Sequence, residues 1–346
     1  MTRHVPAEMV QPLLDWYAVH ARVLPWRSDR TPYRVWVSEI MLQQTRVEAV
    51  LDYFRRFMAA LPTLQALAEA DEQMLLKLWE GLGYYSRARN LQKAARTVME
   101  QYGGRLPGTA EELRRLPGIG AYTAGAVASI AFGQRVPAVD GNVLRVLSRV
   151  TGYTGDITAP GVREKTGAAL QEILPPQAGD FNQALMDLGA TVCLPGGTPK
   201  CAECPLNGLC AAHREGKETA YPVKAAKKAR RVEQRTVLLA MRDGKIALHR
   251  RPEKGLLAGL WEFPSLDGEQ DGEQLLNVLT EKALDPVGLR PAIPARHIFT
   301  HIEWQMHGWY VQCRGSGPSD WVWVTPQELA LQYPLPSAFR AFAKLL

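Results

Sequence analysis

Leu116-Pro117-Gly118-Ile119-Gly120, followed after twenty residues by Asp140 in Val139-Asp140-Gly141-Asn142, decides the fold of this chain. Pro117, Gly118 and Gly120 read as a tight turn between two helical segments. Before the turn, Thr109-Ala110-Glu111-Glu112 is a helix start, a threonine cap with carboxylates in the first turn. After it, the stretch from Ala121 to Phe132 is rich in alanine and apolar residues. Glycines let a backbone come close to another molecule. The first turn of the second helix presents N–H groups without an intrahelical partner, a ready site for a phosphate. A plain helical hairpin with a glycine turn and a capping aspartate fits the same residues. The rest of the chain separates the two.

The 346 residues suggest two domains. Hydrophobic residues make up 46%, enough for real cores. The net charge of +6, with an isoelectric point near 9.1, permits an anionic partner such as nucleic acid without requiring one. Met1-Thr2-Arg3-His4-Val5-Pro6-Ala7-Glu8 has no apolar core behind its basic residue, which argues against a secretion signal. No window approaches the roughly 20 apolar residues of a membrane span. A cytoplasmic protein without a membrane partner is expected, nucleoid-associated if bacterial.

Residues from about 8 to 212 read as helix after helix. Segments 35–57, 75–82, 88–102, 113–132 and 143–150 carry apolar residues at helical spacing, and no strand-like alternation interrupts them. Near residue 222 the character changes. Lys224, Lys227, Lys228, Arg230, Arg231 and Arg235 crowd a segment whose only acid is Glu233, a solvated linker or one lying on phosphate. From Arg235 onward the pattern is strand-like. Thr236-Val237-Leu238-Leu239-Ala240-Met241 and Ile246-Ala247-Leu248-His249 flank an Asp243-Gly244 hairpin turn. Residues 304–313 and 321–324 are further strand candidates, and 273–284 and 326–333 are helical. The fold class expected is a mainly α first half and a separate α+β C-terminal domain.

Four of the five cysteines, Cys193, Cys201, Cys204 and Cys210, form the pattern C-x7-C-x2-C-x5-C. In a reducing compartment so compact a group favours a metal over disulfides. Only one short pair is present and no histidine takes a ligand position within the group; four cysteines so placed at the end of a helical domain suit an iron–sulfur cluster, with zinc the alternative. Cys313 stands apart as a small buried residue.

At this point the chain resembles the helix-hairpin-helix DNA glycosylases, and among them the MutY-type adenine DNA glycosylases. The resemblance is carried by Leu24-Pro25-Trp26-Arg27, Thr31-Pro32-Tyr33, Ser38-Glu39-Ile40-Met41-Leu42-Gln43-Gln44-Thr45 and Leu82-Gly83-Tyr84-Tyr85-Ser86-Arg87-Ala88-Arg89-Asn90-Leu91. Residues 116–125, 139–145 and 181–189 and the cysteines continue it, over most of 12–212. The second half resembles the family's Nudix-like 8-oxoguanine recognition domain through Arg251-Pro252, Gly259-Leu260-Trp261-Glu262-Phe263-Pro264 and Phe299-Thr300-His301. Three features differ or vary. The first cysteine spacing is one residue longer than usual. The recognition loop carries Thr300 where the family has serine. Asp187 stands where relatives carry Asp or Glu.

The resemblance implies a helical catalytic domain over 1–222, with a helix-hairpin-helix module at about 30–135 and an iron–sulfur module built from 1–29 and 136–222. A basic linker, 223–235, and a Nudix-like domain, 236–346, follow. It implies a [4Fe–4S] cluster on the four cysteines. The expected partner is duplex DNA with 8-oxoguanine:A or G:A mispairs, bound by a monomer.

Glu39 lies in an otherwise apolar stretch, so its carboxyl is expected to have a raised pKa and to serve as a general acid. Asp140, near a glycine turn and polar Asn142, is expected to stay ionised more easily. Two carboxylates in unlike surroundings divide into acid and charge stabiliser, the logic of glycosidic-bond cleavage. By resemblance Glu39 protonates adenine at N7 and Asp140 stabilises the sugar cation. Tyr122 stands where the related bifunctional enzymes, resembling endonuclease III, carry a Schiff-base lysine; a phenol cannot form an imine, so base excision without strand cleavage is expected. Gln43, Leu82 and Tyr84 are candidates to fill the gap left by a flipped base. Trp26, Arg27 and Asp187 are candidates for the adenine pocket, Gly118 and Gly120 for DNA contact, and Phe299, Thr300 and His301 for reading the damaged base.

Three other readings compete. A Nudix pyrophosphohydrolase needs several glutamates on one helix to hold Mg²⁺. Asp267, Glu269, Asp271 and Glu273 lie around glycines instead, as in a loop, which favours a binding module. A thymine-removing mismatch glycosylase shares Tyr at the catalytic turn but not the added C-terminal domain. A non-catalytic iron–sulfur DNA-binding protein has no need of Glu39 and Asp140 together.

Overall fold

The computed structural model describes residues 5–226 and 229–346. Residues 1–4, and Lys227 and Lys228 of the basic segment, lie outside the described residues. The chain divides into two compact units. One comprises Met1–Glu69 and Asn90–Ala226, the other Ala70–Arg89 and Lys227–Leu346.

The first unit is helical. Its hairpin follows from local chemistry. Thr109 caps the helix Ala110–Leu113 by accepting from the Glu112 N–H. Gly118 then turns the chain at φ +77°, and a Cβ there would come within 2.7 Å of the Asn90 Cβ. The second hairpin helix runs over Ala121–Phe132, with Gly120 as N-cap and no side chain bonded to its first turn. Helices Gly141–Thr151 and Ala178–Thr191 pack closely across Gly189, where a Cβ would lie 2.6 Å from the Asn142 Cβ. Leu13, Val143, Leu147, Phe181, Leu185 and Leu188 form the centre of that packing.

The apolar periodicity across 35–57 is broken. Helix Pro32–Leu42 ends, and helix Val47–Ala60 starts afresh. Gln44 lies between them at φ +60°. The break contains neither Gly nor Pro, so nothing in the apolar pattern marks it. It sets Gln43 on a turn rather than on a helix face.

The second unit holds a seven-stranded sheet. Its strands are β1 (Arg231–Arg242), β2 (Lys245–Arg250), β3 (Trp261–Glu262), β4 (Ser265–Asp267), β5 (Pro286–Ile298), β6 (Ile302–Cys313) and β7 (Trp321–Val324). The order is β3-β2-β1-β6-β5, with β4 paired to β1 and β7 to β2. β1 and β6 are parallel, and the other pairs antiparallel. Asp243 and Gly244 both take positive φ, as a two-residue hairpin turn requires. Alternation along β1 sends Val237 and Leu239 to one core with Trp304, Phe339 and Phe342, and Leu238 and Ala240 to another with Leu275 and Leu279.

Two elements correct the sequence reading. β5 carries Pro286, Pro291 and Pro294, which argue against a strand. It forms at the sheet edge with register shifts at the prolines, the one place the missing N–H groups are tolerated. β1 begins at Arg231, so Arg231 and Arg235 are strand residues rather than linker, paired with Glu233 and, for Arg235, also with Asp267. Among the described residues, no helix is long and apolar enough to cross a membrane.

Candidate active site

Glu39 sits in helix Pro32–Leu42 among buried Val35, Trp36, Val37, Ile40 and Met41, and is itself 6% exposed. Its Oε2 accepts a hydrogen bond from the Tyr122 hydroxyl at 2.6 Å. Burial pushes its carboxyl up to about 7. The Tyr122 bond and the Arg27 charge oppose that rise and the Asp140 charge adds to it. The Tyr122 hydroxyl, half-buried and beside two carboxyls, is held well above its ordinary value and stays a neutral donor.

Asp140 is the N-cap of helix Gly141–Thr151. Its Oδ1 accepts the Val143 N–H at 2.7 Å and its Oδ2 the Asn142 amide at 2.8 Å. The capping aspartate and the site carboxylate are thus one residue. Burial raises its pKa, against the pull of the Val143 N–H and the Asn142 amide. A helix N-terminus also favours the charged form. Asn142 Oδ1 in turn accepts from Arg145 at 2.7 Å. Buried Arg145 further donates to the carbonyls of Gly189 and Cys193, so one chain of bonds runs from Asp140 to the backbone of the first cysteine.

Asp187 is fully buried. It accepts two bonds from Arg27, at 2.6 and 2.9 Å, and others from Arg22, including Nε at 2.9 Å. Burial pushes its carboxyl up, yet the bonds and charges of Arg27 and Arg22 outweigh burial and hold it below the ordinary carboxylate range. Its oxygens are occupied by these arginines. Arg27 also lies over the Tyr17 ring at 5.7 Å.

A cavity of about 490 Å³ brings these groups together. Trp26, Arg27, Glu39, Tyr122, Asp140 and Asn142 all line it. Arg22, Gln183 and Met186 line it too, and sequence reasoning missed them because nothing local marks them. Among the described residues that line it there is no lysine. Gln43 lies at the nearby break, donating to Thr123 at 3.2 Å.

In the second unit, Leu82 is buried and Tyr84 is exposed at φ +47°. The Tyr84 hydroxyl is 3.2 Å from the Thr300 hydroxyl. Thr300 and His301 are exposed at the turn between β5 and β6. Phe299 is instead packed edge-on against His297 and Trp304, with centroids at 4.6 and 4.9 Å. It anchors the turn that carries the other two.

Cys193, Cys201, Cys204 and Cys210 line one pocket, closed by Val146, Val150, Leu188 and Leu206. Arg149, buried, donates to Cys193 Sγ at 3.1 Å. Burial raises the thiols of Cys201 and Cys210 and takes Cys204 up to about 12, and the neighbouring cysteines raise all three further. Four thiols gathered in one pocket suit a metal centre, whose positive charge would offset theirs as thiolates. Gly196 and Gly197, both at positive φ, shape the loop between Cys193 and Cys201.

Comparison with known proteins places the two halves. Residues 37–176 match the HhH-GPD superfamily of base excision DNA repair proteins, and residues 236–345 match the NUDIX domain. An adenine DNA glycosylase of Rattus norvegicus is 38% identical, over 95% of this chain and 77% of its own. One of Homo sapiens is 38% identical, over 95% of this chain and 73% of its own. Among solved structures, a thermostable thymine-DNA glycosylase aligns with TM-score 0.54 and 30% identity, over 60% of this chain and 96% of that one.

Proposed function

The chain belongs to the adenine DNA glycosylases of the HhH-GPD superfamily, and from that premise we propose that it excises adenine mispaired with 8-oxoguanine or guanine from duplex DNA without cutting the strand. It is a DNA N-glycosylase. The observation that carries the finer reading is a pair of carboxyls, Glu39 and Asp140, in one cavity with a phenol and no lysine.

The flipped adenine enters the cavity beside Trp26 and Arg27. Glu39, neutral below about pH 7, gives its proton to a ring nitrogen of the base, so that the leaving group is neutral. Asp140, held by Val143 and Asn142, faces the positive charge that grows on the sugar as the bond breaks. Water adds to the sugar and leaves an abasic site. Tyr122 keeps Glu39 in place and offers no amine for an imine, which supports monofunctional cleavage. Asp187 positions Arg27 rather than reading adenine itself.

The first-turn N–H groups of helix Ala121–Phe132, uncapped and reached across Gly118 and Gly120, suit a phosphate of the DNA backbone. Gln43, Leu82 and Tyr84 serve the gap in the duplex. Thr300 and His301 read the oxidised base. Cys193, Cys201, Cys204 and Cys210 hold a [4Fe–4S] cluster, which when bound cross-links the end of the helical unit and adds its binding energy to folding.

The test incubates the protein with duplexes carrying 8-oxoguanine:A, G:A and G:T pairs, with and without alkali afterwards. Cleavage at adenine only after alkali is expected. Cleavage without alkali overturns the monofunctional reading. Release of thymine from G:T, the reading suggested by the thymine-DNA glycosylase likeness, overturns the substrate.

A further inference from the structure

His213 and Glu218 line the same pocket as the four cysteines, and the function above leaves both unused. Donor atoms of Cys201, His213 and Glu218 all lie within 4.8 Å of one another. His213 Nδ1 is 2.7 Å from Glu218 Oε1. In the tautomer that donates Nδ1–H to Glu218, Nε2 carries the free lone pair. A carboxylate holding one ring nitrogen so that the other can bind metal is the usual setting of a histidine ligand. Cys201, the thiol beside this pair, is half-buried, whereas Cys210 is buried.

We propose that His213, oriented by Glu218, is a reserve ligand for the corner of the metal centre held by Cys201. In the exchange the bond from iron to Cys201 Sγ breaks and a bond from iron to an imidazole nitrogen forms. The departing thiolate takes a proton from water, and no oxidation state changes. The corner held by Cys201 would then keep its iron when its thiolate is lost. This inference rests on the iron–sulfur reading above.

Iron and sulfide content of the unmodified full-length chain tests that reading separately, and zinc in their place removes it. The inference itself is tested by electron paramagnetic resonance and iron counting on Cys201→Ala, alone and combined with His213→Ala. A four-iron cluster in the single variant and a three-iron cluster in the double variant are expected. A three-iron cluster in the single variant, or four irons in both, overturns the proposal. If Cys201→Ala does not accumulate folded, mild ferricyanide oxidation of the parent and of His213→Ala decides. Loss of the fourth iron is expected to be about 10-fold or more faster without the imidazole. Equal rates overturn the proposal.

Discussion

The two walls of the cavity hold the same functional group in opposite ways. On the wall built by helix Pro32–Leu42, Glu39 projects from mid-helix among apolar side chains with one phenol as donor. On the wall built by helix Gly141–Thr151, Asp140 sits at the helix start, with a backbone N–H and an amide on its oxygens. Burial raises both carboxyls; a single phenol opposes that rise at Glu39, whereas a backbone N–H at a helix start and a side-chain amide oppose it at Asp140. A carboxyl's role is therefore set by what ends on its oxygens, since burial is common to both walls.

The sharpest way to break this contrast is Glu39→Gln. Excision is expected to fall by about 10²–10⁴-fold while duplex binding persists, measured by single-turnover kinetics and titration. The same variant should be more stable than the parent at high pH. Glu39 ionises at about 7 in the folded chain against an ordinary 4.5, so the native state binds the extra proton and loses stability as pH rises between those values. Glutamine removes that loss, and thermal melts above pH 7 should show it. Unchanged turnover removes Glu39 from the acid role.

Asp140→Asn keeps a competent helix cap and removes the charge. A fall of about 10²–10³-fold in excision, with little change in melting temperature, is expected. A large loss of stability with retained rate would make the residue a cap and nothing more.

Asp187→Asn sharpens the contrast with a third buried carboxylate, one that is ionised and already satisfied. It leaves Arg22 and Arg27 without their counter-charge and should cost about 3 kcal/mol at neutral pH by denaturant unfolding. Because the folded-state pKa of Asp187 lies below its ordinary 3.8, the stability it supplies is present above that value and lost as pH falls through the folded one. The gap between parent and variant should close in acid.

Tyr122→Phe probes the smallest difference. The phenol favours ionised Glu39, so its removal should move the falling limb of the pH–rate profile above about 7 by a further 0.5–1 unit, the worth of one hydrogen bond of about 1 kcal/mol. A limb that stays in place means that the phenol does not control the acid.

The hairpin was legible because its signals are local: Thr109 before Glu112, glycines at the turn, and an alanine-rich run ending at Phe132 before Gly133. The break at Gln44 was not, since apolar spacing continues across it. β5 was hidden by prolines that only an edge position tolerates. Within the site, Glu39, Tyr122 and Asp140 stood in recognisable stretches. Arg22, which meets Asp187 from 165 positions away, and Arg145, which links Asn142 to the backbone of Cys193, left no local trace.

The sequence by itself determined which groups are present: two carboxyls, a phenol in place of an amine, four thiols, and local caps and turns such as Thr109 and the glycines of the hairpin. These depend on neighbours within a few positions. Only the tertiary structure decided that Glu39 is desolvated beside one donor, that Asp140 is both a cap and a pocket wall, and that Asp187 is consumed by two arginines. Protonation and hydrogen bonding answer to the solvent each group loses and the charges it meets through space, and residues distant along the chain supply both.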